Sequence, residues 1–163
     1  MPPLSPFVEL SHATGKDTAE KFNNYIEELY QIYLQTVVHS NLTFKNLPVN
    51  TQRRPETLGK SFAFWHMMQE GNVEEERTPD FERCKRIRWI GWTIQNADKY
   101  DQIRVFPQQK RGREESWALW LYEQDYVVIL HYRKTFLLLK TAFMVKKHKQ
   151  QELLRDWNVY TTL

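Results

Sequence analysis

Apolar residues recur every three or four positions between residues 17 and 38, which is the spacing of one face of an α-helix. Asp17 or Thr18 can cap this helix at its amino end. The apolar stripe consists of Phe22, Ile26, Leu29, Tyr30, Tyr33, Leu34 and Val37. The pattern predicts an amphipathic helix that ends near Val38 and packs on the rest of the protein. Residues 1–16 contain three prolines and no period, so we expect an irregular lead-in.

A second helical pattern follows Asp80, which is a suitable cap for "FERCKRIRWIGWTIQNA". Apolar and small residues line one side of it, and basic residues lie between them. The apolar side is formed by Phe81, Cys84, Ile87, Gly91 and Ile94. We expect a helix here that Gly91 kinks or divides.

The chain between these helices has no single period. Residues 39–60 contain two prolines and a glycine, and they predict a loop with a short strand at Leu42–Leu47. In "SFAFWHMMQEG", residues 61–71, both faces of a strand would be largely apolar, so a buried strand and a short helix both remain open. His66 lies inside this run, either as a core histidine with a local hydrogen bond or as a working acid or base.

The carboxyl-terminal half changes to stretches rich in β-branched and aromatic residues: "QIRVFP", "SWALWLYE", "YVVILHY" and "TFLLLKTAFMV". Short polar connections between them are typical of an antiparallel meander. "KKHKQQELLRDW" then returns to a helical pattern. The sequence predicts an α+β fold with N-terminal helices, a four-stranded antiparallel β-sheet and a C-terminal basic helix. One domain would hold a mainly helical part (17–98), the sheet (99–145) and the terminal helix (146–160).

The composition of the chain indicates its cellular compartment. Cys84 is the single cysteine, which excludes an intrachain disulfide and a multi-cysteine zinc site and favours a reducing compartment. The amino terminus lacks the basic and apolar regions of a signal peptide, and no run approaches the ~18 apolar residues of a membrane span. We therefore expect a soluble, cytoplasmic protein that has no membrane partner.

Charge and motifs limit the chemistry. The net charge of +3 is lower than that of a histone-like binder, although basic residues cluster at 77–88 and 146–155. No phosphate loop, dinucleotide motif, nucleophile elbow or zinc-protease motif is present, and the five histidines show no metal-ligand spacing. We expect neither a metal nor a cofactor.

The remaining inventory is a histidine among apolar residues, several arginines and lysines, and an antiparallel sheet. Metal-free RNA cleavage needs a base for the 2′-hydroxyl proton, an acid for the leaving 5′-oxygen and cations for the charge on phosphorus oxygens. Histidine can supply the first two near neutral pH, and arginine can supply the third. His66 and the basic segments therefore suit a ribonuclease.

The order of several segments adds to this interpretation. The series "LTFKNLPVNTQRRPE", "FAFWHMMQEG", "PDFERCKRIRWI", "IRVFPQQKRGREESWALWLYEQDYVVIL" and "FLLLKTAFMVKKHKQQELLRDW" covers roughly residues 40–157. It resembles the phage-associated nucleases of the barnase–EndoU–colicin–RelE group (PBECR), most specifically at "PDFERCKRIRWI". The resemblance implies a helical part followed by a sheet that cups RNA. It also implies metal-independent endoribonuclease activity, as a toxin or in conflict between phages and other mobile elements, with RNA as substrate and an inhibitor or antitoxin protein as a further partner.

The resemblance implies functional roles for the residues of this chain at matching positions. His66 would be the general acid or base, the turn arginines Arg111 and Arg113 would approach a phosphate, and the Thr141 hydroxyl would bind that phosphate from a strand. The residues expected to contact RNA more widely, or to anchor the arginine-rich helix, are Arg86, Arg88, Lys110, Lys147 and His148.

Three departures bear on activity. The resemblance expects a tyrosine where Phe143 stands, an arginine at Gly91 and a threonine at Ser116. These departures keep an alternative open, a non-catalytic module on the same scaffold that binds RNA or protein. A third interpretation is an interaction protein that docks a partner on the apolar side of the helix at residues 17–38.

Overall fold

The computed structural model describes residues 3–70, 78–109 and 115–162. Within these ranges the chain forms an α+β fold, as the sequence predicts. The helical elements are a 3-10 turn at Leu10–His12, α1 at Thr18–Tyr33, a π-helical turn at Leu34–Val38, α2 at Phe62–Met68, α3 at Phe81–Lys85, α4 at Ile87–Asn96 and α5 at Lys147–Thr161. The strands are β1 at Thr43–Phe44, β2 at Leu47–Asn50, β3 at Gln69–Glu70, β4 at Thr78–Pro79, β5 at Ile103–Pro107, β6 at Ser116–Leu121, β7 at Tyr126–Tyr132 and β8 at Leu137–Met144.

Six of the described strands form one mixed sheet in the order β1-β2-β8-β7-β6-β5. The four predicted strands are β5 to β8, and each pairs antiparallel with the next. The prediction of a four-stranded antiparallel sheet is wrong in strand number, because the β1–β2 hairpin extends the sheet and β2 pairs parallel with the start of β8. Lys45 and Asn46 make the hairpin turn at positive φ, as a tight two-residue connection requires. These strands are too short to show a period in the sequence.

Helices cover the sheet on both faces. The core face packs against α1, α2 and α4, and its strand residues include Leu119, Val128 and Leu139. The opposite face, called the α5 face below, carries Phe106, Trp120 and other residues beneath Leu153 and Trp157 of α5. Strand residues alternate between these two cores, so both layers derive from the period of two along each strand.

The first predicted helix forms as α1, and the Asp17 carboxylate accepts a hydrogen bond from the Glu20 amide at 2.8 Å. Its apolar side is buried in the core face, with Tyr25, Leu29 and Tyr33 at most 1% exposed. The face proposed as a docking surface for a partner helix is thus already covered by the protein itself. Tyr25 also donates to the Val8 carbonyl at 2.6 Å, which fixes part of the lead-in.

The arginine-rich segment forms two helices. Asp80 caps the first, as predicted, by accepting from the Glu82 and Arg83 amides. The division falls at Arg86, whereas the predicted kink at Gly91 is wrong, because α4 runs through Gly91 without a break. Gly91 serves helix packing instead. A Cβ atom there would fall well inside contact distance of the Thr36 carbonyl oxygen, on the π-helical turn.

Candidate functional site

The His66 segment is a helix, which decides between the two structures that its pattern left open. Ala63, Phe64, Met67 and Met68 recur at the spacing of one helical face, and all four are at most 3% exposed. This side of α2 is buried in the hydrophobic core that lies on the core face of the sheet. After Met68 the chain extends into β3, which pairs with β4.

His66 lies outside that buried face of α2. Its side chain is half-buried, and its ring stacks on Phe62 one turn earlier, with ring centroids 5.8 Å apart and an interplanar angle of 16°. The aromatic neighbour limits the ring's motion while leaving part of it accessible to solvent. His66 is therefore a placed side chain at the protein surface and not a core histidine.

Arg83 of α3 contacts both α2 and the sheet. The sequence did not predict a role for it. Its Nη1 atom donates to the carbonyl oxygens of His66 at 3.3 Å and Gln69 at 2.8 Å. Its guanidinium lies 5.8 Å from the centroid of the Phe143 ring on β8, and its Nε is 3.3 Å from an Asp80 carboxylate oxygen. The only sequence signal for this role was its position three residues after the capping aspartate.

The edge of β8 lies beside α2 and α3. β2 pairs only with Leu137 and Leu138, and α2 and α3 pack against β8. A β-bulge interrupts the pairing with β7, so that Ile129 opposes Thr141 and Leu130 opposes Leu139. Lys140 is the extra residue at this bulge.

The bulge turns two neighbouring side chains the same way. Leu139 and Ala142 are three positions apart, yet both are buried in the core of the sheet's core face. Lys140 and Thr141, between them, are turned away from that core, with Lys140 exposed and Thr141 half-buried. Bulges are a common means of re-aiming side chains beside active sites. A cation and a hydroxyl are thus presented together on the α5 face of β8, whereas the helix that carries His66 packs on the core face.

The other predicted catalytic residues come from the β5–β6 connection. Lys110, Arg111 and Arg113 lie outside the described residues. The strands that flank them are described, and the Gln108 amide donates to the Ser116 carbonyl at 2.9 Å. Because β7 separates β6 from β8, the β6 flank of this connection is about 10 Å from β8 across the sheet, and the β5 flank is about 14 Å from it.

Arg86 and Arg88 lie on other surfaces. Arg86 pairs with Glu82 at 2.7 Å, and its guanidinium stacks on the rings of Phe7 and Trp89 at 4.9 and 5.2 Å. Those contacts hold the α3–α4 corner against the lead-in. Arg88 lines a cleft of about 160 Å³ beside the π-helical turn, together with Ser5 and Trp92.

Lys147 and His148 begin α5, and both are exposed. This places them at the amino end of the helix that covers the α5 face. Cations are electrostatically unfavourable at a helix amino end, because the macrodipole is positive there. The positive charge of this end is therefore available to an anion.

Cys84 is not a nucleophile in the folded protein. It is fully buried beneath α3, and its Sγ atom is 3.6 Å from the Met68 carbonyl oxygen. Burial raises the pKa of the Cys84 thiol to about 12, with the neighbouring Asp80 acting in the same direction. The thiolate that nucleophilic chemistry requires is therefore scarce near neutral pH.

The described residues hold no metal-binding group and no helix that could cross a membrane. Among them, no three histidine, cysteine, aspartate or glutamate residues come together as a metal-binding group. None of the helices in the described part of the chain is both long enough and apolar enough to cross a lipid bilayer. Comparison with known proteins finds no matching family model, no matching curated protein and no matching solved structure.

Proposed function

We propose that this protein is an endoribonuclease that cleaves RNA without a metal ion, with His66 as the acid or base. The observation that carries the proposal is the position of His66. His66 is half-buried, its ring stacks on Phe62, and Arg83 binds its backbone carbonyl, on a helix that packs beside the edge of β8. The segment series that resembles the PBECR nucleases supports the same activity.

The proposed reaction is an attack by the 2′-hydroxyl on the adjacent phosphorus. The P–O5′ bond breaks, leaving a cyclic phosphate on one product and a 5′-hydroxyl on the other. His66 takes the 2′-hydroxyl proton or gives a proton to the departing oxygen. Thr141 and Lys140 are proposed to contact phosphate oxygens of the same RNA from the α5 face of β8, and Arg111 and Arg113 are proposed to add further positive charge.

The remaining basic residues divide into two proposed roles. Arg88, Lys110, Lys147 and His148 are proposed to bind RNA beyond the scissile phosphate. Arg86 is already engaged with Glu82, Phe7 and Trp89, which favours the anchoring role for it.

Cleavage of a mixed-sequence RNA in EDTA tests the proposal. The His66→Gln variant should cleave about 10²–10⁴-fold more slowly than the wild type, which is the usual contribution of a positioned acid or base. The control is His12→Gln, because His12 is an exposed histidine in the lead-in and belongs to no proposed site. Thermal unfolding of all three proteins shows whether His66→Gln remains folded. Equal cleavage by His66→Gln and the wild type would reject the role of His66.

A toxin role makes a separate expectation. Expression of the wild type should arrest bacterial growth and degrade cellular RNA, whereas expression of His66→Gln should do neither. A cognate inhibitor or antitoxin protein would restore growth. Growth arrest by both proteins at equal expression would mean that the arrest has another cause.

Phe143 favours a second candidate, an RNA-binding module without catalysis. The resemblance expects a tyrosine hydroxyl at this position, and the Phe143 ring faces the Arg83 guanidinium instead. Such a module would bind RNA with an affinity that falls steeply with salt, and no product would accumulate. Cleavage by Phe143→Tyr but not by the wild type would establish this candidate.

A further inference from the structure

A second cleft lies on the α5 face, where β5 and β6 meet the amino-terminal half of α5. Its volume is about 210 Å³. It is lined by Arg104, Trp120, Tyr122, Gln150, Gln151 and Leu154. β5 and β8 stand at the two sides of the antiparallel part of the sheet, about 14 Å apart across three strand spacings. The cleft is therefore separate from the region of His66 and Thr141.

Arg104 is held by aromatic rings. Its guanidinium carbon lies 4.0 Å from the ring centroid of Tyr122, 5.2 Å from that of Trp157 and 5.4 Å from that of Trp120. Stacking of this kind uses the flat faces of the guanidinium and leaves the N–H groups at its edge. Among the residues that the structure describes, no oxygen accepts a hydrogen bond from Arg104 and no carboxylate pairs with it.

Trp120 lines the same cleft. The Trp120 residue is 2% exposed, and its indole Nε1 has no hydrogen-bond partner within the described ranges. The nitrogen has almost no solvent-accessible surface, so Trp120 contributes its ring to the wall of the cleft and not a donor to a ligand. The cleft thus combines the guanidinium of Arg104 with an aromatic wall.

Two acids near the cleft already have partners. Asp125 accepts a hydrogen bond from the Gln150 side chain at 3.1 Å, and Glu152 pairs with Lys149 at 3.2 Å. Lys147 precedes Gln151 by one helical turn, so it projects from the same side of α5. The wall formed by α5 therefore presents Lys147 as an exposed cation beside the cleft.

We propose that this cleft binds a backbone phosphate of single-stranded RNA, with Arg104 as the donor and Lys147 beside it. The inference rests on the proposed function, since RNA is the substrate proposed there. An RNA strand is favoured over an acidic peptide because Tyr122 and Trp157, which hold Arg104, are partly accessible and offer stacking surface for bases. The α5 face also carries Thr141, opposite Ile129, so one strand of RNA would reach both sites.

Binding is measured with a fluorescent 2′-O-methyl oligouridylate, which cannot be cleaved because it lacks the attacking hydroxyl. Arg104→Gln should weaken its binding about tenfold and lower the salt slope of the affinity by about one. Arg104→Lys keeps the positive charge but loses the paired N–H donors of the guanidinium. Its affinity should therefore lie between those of Arg104→Gln and the wild type. Lys21→Gln is the charge-matched control, because Lys21 lies exposed on α1 in the opposite layer.

A second arm uses the wild type alone and does not depend on any variant folding. Titration with inorganic phosphate should shift the Trp120 indole N–H resonance, and the oligouridylate should displace the phosphate. Neither readout requires cleavage, so an inactive protein would reject the proposed reaction and leave this test intact. Unchanged binding by Arg104→Gln, an equal loss in Lys21→Gln, or a phosphate shift that only an acidic peptide displaces would each overturn the RNA-phosphate site.

Discussion

The Nη1 atom of Arg83 lies 3.3 Å from the backbone carbonyl oxygen of His66. That carbonyl is among the last four of α2, which have no partner within the helix. The same nitrogen also satisfies the Gln69 carbonyl at 2.8 Å, so one side chain stabilises the carboxyl-terminal end of α2. A cation is favourable at this end because the helix dipole is negative there. Arg83 therefore fixes where α2 presents His66.

Replacement of Arg83 should lower both stability and cleavage. Arg83→Gln loses the donors to two carbonyls and should reduce the free energy of unfolding by about 1–3 kcal/mol. Assayed where the protein is still folded, it should lower kcat more than it raises KM, because it misplaces His66 and leaves the RNA-binding residues intact. The control is Lys85→Gln on the same helix, whose salt bridge to exposed Glu82 should be worth less than about 1 kcal/mol. If Arg83→Gln retains the wild-type kcat, Arg83 does not position His66 in the proposed site.

Thr141→Val tests whether the hydroxyl beside the bulge acts in cleavage. Valine keeps the β-branched shape that suits a strand, so unfolding free energy should change by less than about 1 kcal/mol. Loss of a hydrogen bond to the phosphate should slow cleavage about tenfold. Thr43→Val is the matched control, because Thr43 is an exposed strand threonine on β1. If both variants cleave as fast as the wild type, Thr141 is simply a strand residue.

Much of the architecture follows from local patterns. The spacing of three to four between apolar residues predicts α1, and Asp80 predicts the start of α3. The stretches rich in β-branched residues predict β5 to β8. The parallel pairing of Val49 with Leu137 does not follow, because these residues are far apart in sequence and β2 is only four residues long. The division at Arg86 also escapes a pattern argument, since its stack on Phe7 and Trp89 exists only in the folded chain.

The candidate site could be predicted only in part. His66 was singled out because it is a lone histidine among aromatic residues, and its accessible position on α2 is consistent with a functional role. The contribution of Arg83 depends on carbonyls 17 and 14 positions earlier in the chain, so no short motif contains it. Lys140 gains its position from a bulge, which a pattern of alternating residues does not reveal. The roles carried over from the resemblance stay predictions.

High pH should destabilise the protein through buried acids. Burial raises the pKa of Cys84 to about 12 from an ordinary value of 9.0, and that of Tyr33 to about 12 from 10.0. Burial also raises the pKa values of Tyr25 and Tyr126. Between these values the unfolded chain loses protons that the folded chain keeps, so the unfolded state gains stability. The stabilising contribution is complete below about pH 9 and is lost as pH rises towards 12.

Urea unfolding between pH 7 and pH 11 measures this loss. Each titrating group should contribute a slope of about 1.4 kcal/mol per pH unit above its unfolded pKa. Cys84→Ser removes the group that titrates first, so its stability should begin to fall at a higher pH than that of the wild type. A free energy of unfolding that stays constant to pH 11 would mean that these hydroxyl and thiol groups are not held neutral by burial.

Gly91→Ala should destabilise the protein, although a glycine-to-alanine change in a helix usually raises the free energy of unfolding. At an unconstrained helical position alanine is favoured by about 1 kcal/mol. At Gly91 the new Cβ atom would overlap the Thr36 carbonyl oxygen, and a backbone atom cannot move aside without shifting the π-helical turn away from α4. We expect a loss of about 1–3 kcal/mol in the free energy of unfolding, measured by urea denaturation. The reference for the ordinary sign is the pair Asn23→Ala and Asn23→Gly on the exposed side of α1, where alanine should be the more stable by about 1 kcal/mol. If Gly91→Ala is as stable as the wild type or more so, α4 and the π-helical turn do not depend on this close approach.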